Sequence, residues 1–108
     1  ARGGNGLKGY QFQYAGSDNL DEVAVWNTDV VSEIKTKKPN GLRIYDLNGN
    51  IEEWTFQRFG DYILYAGGYY FYKQPDAFAL SWHYSGSFAV SPTFRNRQLG
   101  FRVVCTAD

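Results

Sequence analysis

The stretch that decides the fold is YDLNGNIEEW, which runs from Tyr45 to Trp54. Its first half, Asp46 to Asn50, combines an aspartate, two asparagines and a glycine, a composition that is typical of a turn. From Ile51 to Phe56 polar and apolar side chains alternate, which predicts a half-buried strand. We therefore expect a strand that follows a turn and places Trp54 in the core.

Outward from this stretch, the sequence predicts many short strands, little helix and long connections. Acidic residues after Asn19 favour a single helical turn within Leu20 to Trp26. Further extended segments are predicted at Tyr10–Tyr14, Val30–Ile34, Leu42–Tyr45, Tyr62–Tyr65, Phe78–Tyr84 and Gly100–Val104. We expect Trp26, Phe101 and Val103 to face the interior, Arg102 to point outward or to be paired, and Cys105 to be a small buried hydrophobe.

Length and charge limit the classes of function. A chain of 108 residues predicts one domain spanning 1–108, with enough buried surface for one core. The 11 basic and 11 acidic residues cancel, which argues against nucleic acid or anionic lipid as a partner. No run approaches the roughly 20 apolar residues of a membrane helix, so we expect no membrane insertion. Because methionine is absent even at position 1, the start of the sequence is expected to be artificial or processed.

Aromatic residues are concentrated in the C-terminal third. Ten of the twenty lie between Tyr65 and Phe94, a window whose charged residues are Lys73 and Asp76. In an extended chain, successive side chains point to opposite faces, so one core cannot take all four rings of the run Tyr69–Tyr72. One face is therefore expected to offer rings to a partner. The alternative is that several rings pack beneath the sheet.

Four ordered motifs give the sequence a family resemblance. They are YAGSDNLDEVA at Tyr14–Ala24, KKPNGL at Lys37–Leu42, YDLNGNIEEW at Tyr45–Trp54 and LGFRVV at Leu99–Val104. Together they resemble the formylglycine-generating-enzyme-like (sulfatase-modifying factor) family. The resemblance implies an α+β, C-type-lectin-like fold with a twisted antiparallel sheet, little helix and long irregular loops. It also implies that the family's N-terminal helices, which precede the segment matching Ala1–Gly4, are missing here.

The cysteines depart from the family pattern. Formylglycine-generating enzymes oxidise a target cysteine with a pair of active-site cysteines that precede the Gly-Phe-Arg motif. This chain has one cysteine, Cys105, and it follows that motif. An oxidoreductase of that kind requires a reactive thiol, so it is the alternative and not the leading hypothesis.

A second departure points to a subgroup of the family. Where members usually read Arg-Gly-Gly-Ser-Trp, this chain reads AGGYY over Ala66–Tyr70, and the rings continue to Phe94. This pattern resembles the variable proteins of diversity-generating retroelements, in which adenines of a C-terminal coding segment are rewritten and ligand-contacting residues vary on a constant scaffold. The resemblance implies a non-enzymatic ligand-binding protein whose variable surface covers about residues 69–97. It suggests display on a virion or cell surface, or secretion.

The genetic mechanism restricts which residues vary. An asparagine codon altered at its adenines can encode Tyr, Phe, His, Ser, Asp, Ala, Leu or Arg, but not Trp, Gln, Lys, Glu or Met. Lys73, Gln74, Trp82 and Gln98 are therefore expected to be scaffold. The candidate ligand-binding residues are Tyr70, Phe71, Tyr72, Asp76, Phe78, Ser81, His83, Tyr84, Ser87, Phe94, Asn96 and Arg97.

Composition independently favours binding over catalysis. The C-terminal segment is rich in Tyr and Phe and also contains Ser, and antibody binding loops favour a similar composition. The lone histidine, His83, has no second histidine or cysteine with which to form a transition-metal site. We therefore expect a protein or surface ligand, no catalysis and no cofactor. A carbohydrate-binding lectin is a further alternative, because aromatic faces also stack on sugar rings.

Calcium is the one metal that the resemblance raises. In related enzymes the turn matching Asp46 to Glu53 holds a calcium ion, which takes oxygen ligands. The two carboxylates of this turn, Asp46 and Glu53, are the candidate ligands. The favoured alternative is that Asp46 closes an Asx turn and Glu53 pairs with an arginine such as Arg102.

Overall fold

A computed structural model describes residues 12–78 and 88–105. The elements in chain order are α1 (Leu20–Val23), β1 (Ala24–Val25), β2 (Asn48–Gly49), β3 (Glu52–Phe59), β4 (Tyr62–Ala66), a 3-10 helix (Pro75–Phe78), β5 (Phe88–Val90) and β6 (Leu99–Gly100). Long irregular segments join them. None of the described helices has the length and hydropathy needed to cross a bilayer.

The main sheet has four strands in the order β5-β4-β3-β6. Strands β3 and β4 form an antiparallel hairpin in which Trp54 pairs with Tyr65, and the register shifts between Trp54 and Arg58. Strand β5 continues the antiparallel pairing on β4, whereas β6 lies parallel to β3. The strands predicted from Ile51 and from Tyr62 are therefore confirmed, and β3 extends further than its alternating pattern indicated.

The predicted helical turn is also confirmed. Asn19 caps α1 by accepting a hydrogen bond from the Asp21 backbone N–H at 3.1 Å. Among the described residues, one cluster of buried side chains contains Tyr14, Leu20, Val23, Ala24 and Phe78, with Trp26 and Tyr72 packed against it. The Trp26 indole N–H donates to the Asp21 carboxylate at 2.8 Å, so its polar end is satisfied.

Two buried asparagine side chains form hydrogen bonds with the backbone of loops that lie outside the main sheet. Asn48 exchanges two hydrogen bonds with the backbone of Ala15, at 3.2 and 3.4 Å. Asn50 does the same with Ser32, at 2.9 and 3.2 Å. An amide side chain has both a donor and an acceptor, so it can replace one rung of a β-ladder. These two side chains, on either side of Gly49, thus join two distant loops to the segment that contains strand β2.

Several strand predictions are wrong. Residues 30–34 and 42–45 form no strand, and β6 covers only the first residue of the predicted Gly100–Val104 strand. Phe101 and Val103 are 77% and 85% exposed, and Cys105 is exposed as well. Arg102 faces the protein and contacts Glu53, while its two apolar neighbours point to solvent.

The remaining strand predictions fall partly outside the described residues. Tyr14 forms an isolated bridge with Ser17, whereas Tyr10 and Gln11 lie outside the described part of the chain. The predicted strand from Phe78 begins where the 3-10 helix ends, and its residues 79–84 are likewise outside.

Candidate functional site

The candidate segment begins at two glycines directly after β4. Gly67 and Gly68 have φ angles of 103° and 70°, which L side chains rarely adopt, and they turn the chain out of the sheet. An ideal Cβ on Gly68 would lie 2.5 Å from the ring of Phe78 and 3.2 Å from that of Tyr72. Glycine is therefore needed here both for the backbone angle and for the space that the two rings occupy.

Backbone hydrogen bonds hold the segment that follows these glycines. The Tyr70 N–H donates to the Asn50 carbonyl at 2.9 Å, and the Tyr70 carbonyl accepts from Thr28 at 2.8 Å. The Tyr72 carbonyl accepts from Asn27, also at 2.8 Å. Residues 70–72 thus have a defined path although they form no strand.

The inner part of the segment is a chain of ring contacts. Phe78, 4% exposed, packs edge-on against Trp26 and Tyr72 with centroid separations of 6.2 and 6.0 Å. Tyr72 contacts Tyr69 at 4.6 Å, and Tyr69 contacts Tyr70 at 5.5 Å with perpendicular planes. Such offset and edge-on pairs are favourable beyond their buried area. The buried core is therefore continuous with the rings of residues 69 and 70.

A buried carboxylate lies beside this chain of rings. Glu52, 4% exposed, accepts a hydrogen bond from the Tyr72 hydroxyl at 3.1 Å. Burial raises the pKa of Glu52 above its usual range, an effect that the bond from Tyr72 partly opposes. Burial and the nearby Glu52 charge raise the pKa of the Tyr72 hydroxyl strongly, and they raise that of Tyr65 as well. Both hydroxyls therefore stay protonated at neutral pH.

The outer part of the segment presents two exposed phenylalanine rings. Phe71 is 45% exposed, and the Lys73 ammonium lies 5.2 Å from its centroid. Phe94 is 38% exposed and lies parallel to Tyr65 at 6.4 Å. Tyr65 in turn meets Trp54 edge-on at 6.5 Å, so the sheet supports Phe94 from below. Both rings are exposed, and Phe94 also packs on a ring of the sheet.

The structure describes eight of the twelve sequence-predicted site residues and places them in three layers. The exposed ones are Phe71, Asp76, Phe94, Asn96 and Arg97, the partly exposed ones are Tyr70 and Tyr72, and Phe78 is buried in the core. Ser81, His83, Tyr84 and Ser87 lie outside the described residues. Sequence reasoning missed Glu52, although one signal was present: two adjacent glutamates in a strand must point to opposite faces.

The candidate calcium ligands do not fit a calcium ion. Both Glu53 oxygens accept hydrogen bonds from Arg102, at 2.6 and 2.9 Å, so the predicted pairing with an arginine is confirmed. The prediction of an Asx turn at Asp46 is wrong, because its Oδ2 accepts a hydrogen bond from the distant Lys35 backbone N–H at 2.8 Å. Asp46 Oδ1 is buried without a hydrogen-bond partner among the described residues. A guanidinium between the two acidic residues repels a divalent cation, and the described residues contain no cluster of three potential ligands.

A separate groove of about 620 Å³ lies beside Arg102. Its walls include the apolar side chains of Ile34, Ile44, Ile51, Phe101 and Val103. Among the described residues that line it, none belongs to the candidate segment 69–97.

Comparison with known proteins identifies the family. The family described as "Sulfatase-modifying factor enzyme 1-like domain" matches residues 1–107. The chain belongs to this family. The resemblance drawn from the four sequence motifs is thereby confirmed, and the family includes enzymes.

Solved structures extend the similarity to the fold. The structure titled "Crystal Structure of CarF" is 28% identical, with a TM-score of 0.70 over 94% of this chain and 41% of that chain. Treponema denticola variable protein 1 is 25% identical, with a TM-score of 0.65 over 83% of this chain and 39% of that one. The C-type-lectin-like fold, mostly sheet with little helix, is confirmed, and the neighbours include a variable protein, as the subgroup resemblance predicted.

One curated relative matches a shorter part of the chain. A protein named "Chaperone protein LppX", from Paenibacillus barcinonensis, is 32% identical in an alignment of 72 residues, and the match covers 48% of this chain and 26% of that protein. The chain thus spans about a quarter of this relative and about two fifths of the two solved structures.

Proposed function

We propose that this chain is a non-enzymatic ligand-binding protein of the retroelement-diversified kind, with a binding surface in residues 69–97 on a constant lectin-like scaffold. The observation that carries the proposal is the exposure of two phenylalanine rings of this segment: Phe94 stacks on Tyr65 of the sheet, and Phe71 lies beside the Lys73 ammonium. The similarity to a variable protein of Treponema denticola supports the same class.

The different exposure of the candidate residues supports dividing them into residues that contact the ligand and residues that support the binding surface. We assign ligand contact to the exposed and partly exposed members outside the core, which are Tyr70, Phe71, Asp76, Phe94, Asn96 and Arg97. Phe78 and Tyr72 pack on the core and support the surface from below. Rigid rings with little conformational freedom contribute large contact areas at low entropic cost, and a few of them can anchor a protein ligand. The ligand we propose is a protein or another surface component.

The test of diversification is the sequence of sibling copies and their neighbouring DNA. We expect a reverse transcriptase gene and a near-copy of the segment coding for residues 68–102 that carries asparagine codons. Differences between siblings should fall at the six assigned positions and at the candidates outside the described residues, Ser81, His83, Tyr84 and Ser87. They should spare Glu52, Asn48 and Asn50. Differences scattered evenly along the chain would refute the proposal.

The test of binding is a display library in which the six assigned positions are randomised. Selection against hen lysozyme as a model target should yield folded binders. The matched control randomises six exposed positions of the β3–β4 hairpin and its neighbours, Phe56, Gln57, Arg58, Phe59, Asp61 and Tyr62. Equal recovery of binders from both libraries would show that the segment has no special capacity to bind.

The lectin alternative rests on the same two exposed rings, since Phe71 and Phe94 offer flat faces on which a sugar could stack. A glycan array and a protein array probed in parallel separate the two functions. Binding confined to glycans would replace the proposal with the lectin. Turnover of a cysteine-containing peptide would revive the oxidoreductase, for which the chain offers only Cys105.

A further inference from the structure

Glu52 forms hydrogen bonds near both ends of the candidate segment 69–97, to Tyr72 within it and to Gln98 directly after it. Its side chain accepts a hydrogen bond from the Tyr72 hydroxyl, and its backbone N–H donates one to the Gln98 carbonyl at 2.8 Å. It is also the first residue of β3, where it is paired with Leu99 of β6. One residue of the constant sheet therefore joins the beginning of the candidate segment to its end.

The hydrogen bond from Tyr72 is the stronger for being buried. Among the described residues, Glu52 forms no ion pair, and its carboxylate accepts a hydrogen bond from the Tyr72 hydroxyl. A buried carboxylate that lacks a donor is costly, so this bond is held firmly. A hydroxyl donating to an ionised carboxylate forms a bond roughly twice as strong as one between neutral groups. The orientation of the Tyr72 ring is thus fixed from its hydroxyl end.

A fixed Tyr72 constrains the rings beyond it. Tyr69 lies against Tyr72 at 4.6 Å, and Tyr70 lies against Tyr69 at 5.5 Å. Gly68 leaves room for the Tyr72 ring, and Phe78 closes its other edge. A binding surface whose rings are already in place loses less entropy when a ligand binds.

We propose that Glu52 is a positioning residue, which through its hydrogen bond to Tyr72 holds Tyr69 and Tyr70 in place and so preorganises the surface. The use of these rings for a ligand rests on the proposed function. The positioning itself is a property of the free protein and can be measured without a ligand.

The experiment is NMR of the protein with 13C-labelled tyrosine rings, assigned by single Tyr→Phe variants. The variants are Glu52→Leu, which removes the acceptor, and Glu52→Gln, which keeps an acceptor but not the charge. The matched control is Glu33→Leu, at an exposed glutamate whose side chain makes no hydrogen bond among the described residues. Amide spectra establish that each variant is folded.

Glu52→Leu should shift or broaden the ring signals of Tyr69, Tyr70 and Tyr72 and leave that of Tyr62 unchanged. Glu52→Gln should bring the Tyr69 and Tyr70 signals back toward their wild-type positions, because its amide oxygen can still accept a hydrogen bond from the Tyr72 hydroxyl. Tyr69 and Tyr70 signals that match wild type in a folded Glu52→Leu variant would overturn the proposal.

If Glu52→Leu does not fold, Tyr72→Phe replaces it, because this change removes only the hydroxyl and keeps the ring. The Tyr69 and Tyr70 signals should then move as described, and unmoved signals would refute positioning. Failure of this NMR experiment leaves the proposed function standing. Failure of the sibling sequences or the display library leaves the positioning result standing.

Discussion

The Arg102 guanidinium donates to both carboxylate oxygens of Glu53, from Nε at 2.9 Å and from Nη2 at 2.6 Å. Nη2 also donates to the carbonyls of Tyr45 and Asp46, at 3.0 and 3.3 Å. Pairing with Glu53 raises the pKa of Arg102. One arginine of the Gly-Phe-Arg motif thus joins the end of the chain, strand β3 and the turn before β2.

Replacing Arg102 by lysine should lower the free energy of unfolding. An ammonium cannot reproduce the two parallel bonds of a guanidinium, so we expect a loss of about 1–2 kcal/mol for this partly exposed pair. Urea unfolding measures it, with Arg95→Lys at an exposed position as control. Equal stability of the two variants would show that the paired geometry contributes nothing.

Calcium should leave the melting temperature of the wild-type protein unchanged. Arg102 already occupies both Glu53 oxygens and brings a positive charge to the turn. Differential scanning calorimetry with and without millimolar calcium tests this, with magnesium as control. A calcium-specific rise in melting temperature would mean that the turn binds the ion in spite of the arginine.

The elements predicted correctly from sequence are those determined by neighbouring residues. The Asn19 cap is followed at once by acidic residues, and the alternation from Ile51 needs no distant contact to indicate a strand. Phe101 and Val103 were predicted wrongly because alternation shows only that they share a face. Which face is covered depends on the contact between Arg102 and Glu53, which are 49 residues apart in sequence.

The candidate site could be predicted as a segment but not as a surface. The density of rings from Tyr65 to Phe94 is visible in the sequence, and the codon restriction is what the subgroup resemblance implies. The burial of Phe78 and the exposure of Phe71 are not, because both are phenylalanines in the same aromatic run. Their difference depends on contacts that are distant in sequence, because Phe78 packs against Trp26 in the core whereas the Phe71 ring lies beside the Lys73 ammonium.

Replacing single rings by alanine should distinguish, by the loss of stability, the rings that support the surface from those that form it. Phe78→Ala is expected to lower the free energy of unfolding by about 3–5 kcal/mol, as for other buried rings. Phe71→Ala and Phe94→Ala should change it by about 1 kcal/mol or less, because both rings are substantially exposed. Chemical denaturation measures all three. A loss at Phe71 as large as that at Phe78 would place Phe71 in the core and out of the proposed surface.

Gly68→Ala should destabilise the protein through contact with Phe78. The added methyl group would lie 2.5 Å from that ring, and we expect a loss of about 1–3 kcal/mol. Gly60→Ala is the matched control, because its φ of 62° is close to the 70° of Gly68 and its Cβ meets nothing within 4 Å. The difference between the two variants in urea unfolding isolates the steric contact. No difference would mean that the Phe78 ring moves aside freely.

Glu52→Gln should stabilise the protein, and the gain should grow with pH. Burial raises the pKa of Glu52 in the folded protein, whereas the unfolded carboxyl ionises near its ordinary value of about 4.3. Between these two pKa values the folded state binds more protons than the unfolded state, so wild-type stability falls as pH rises through this window. Glutamine does not titrate, so the Glu52→Gln variant does not lose this part of its stability as the pH rises.

The measurement is urea unfolding of both proteins from acid to neutral pH. The advantage of Glu52→Gln should be smallest below the ordinary carboxyl pKa and reach a plateau above the raised one. Glu33→Gln, at an exposed position, should show a difference from wild type that does not vary with pH in this way. An advantage that is constant or shrinks with rising pH would mean that the Tyr72 hydrogen bond, which favours the charged form, outweighs burial. The carboxylate would then stabilise the ring cluster by its charge as well as by accepting a hydrogen bond.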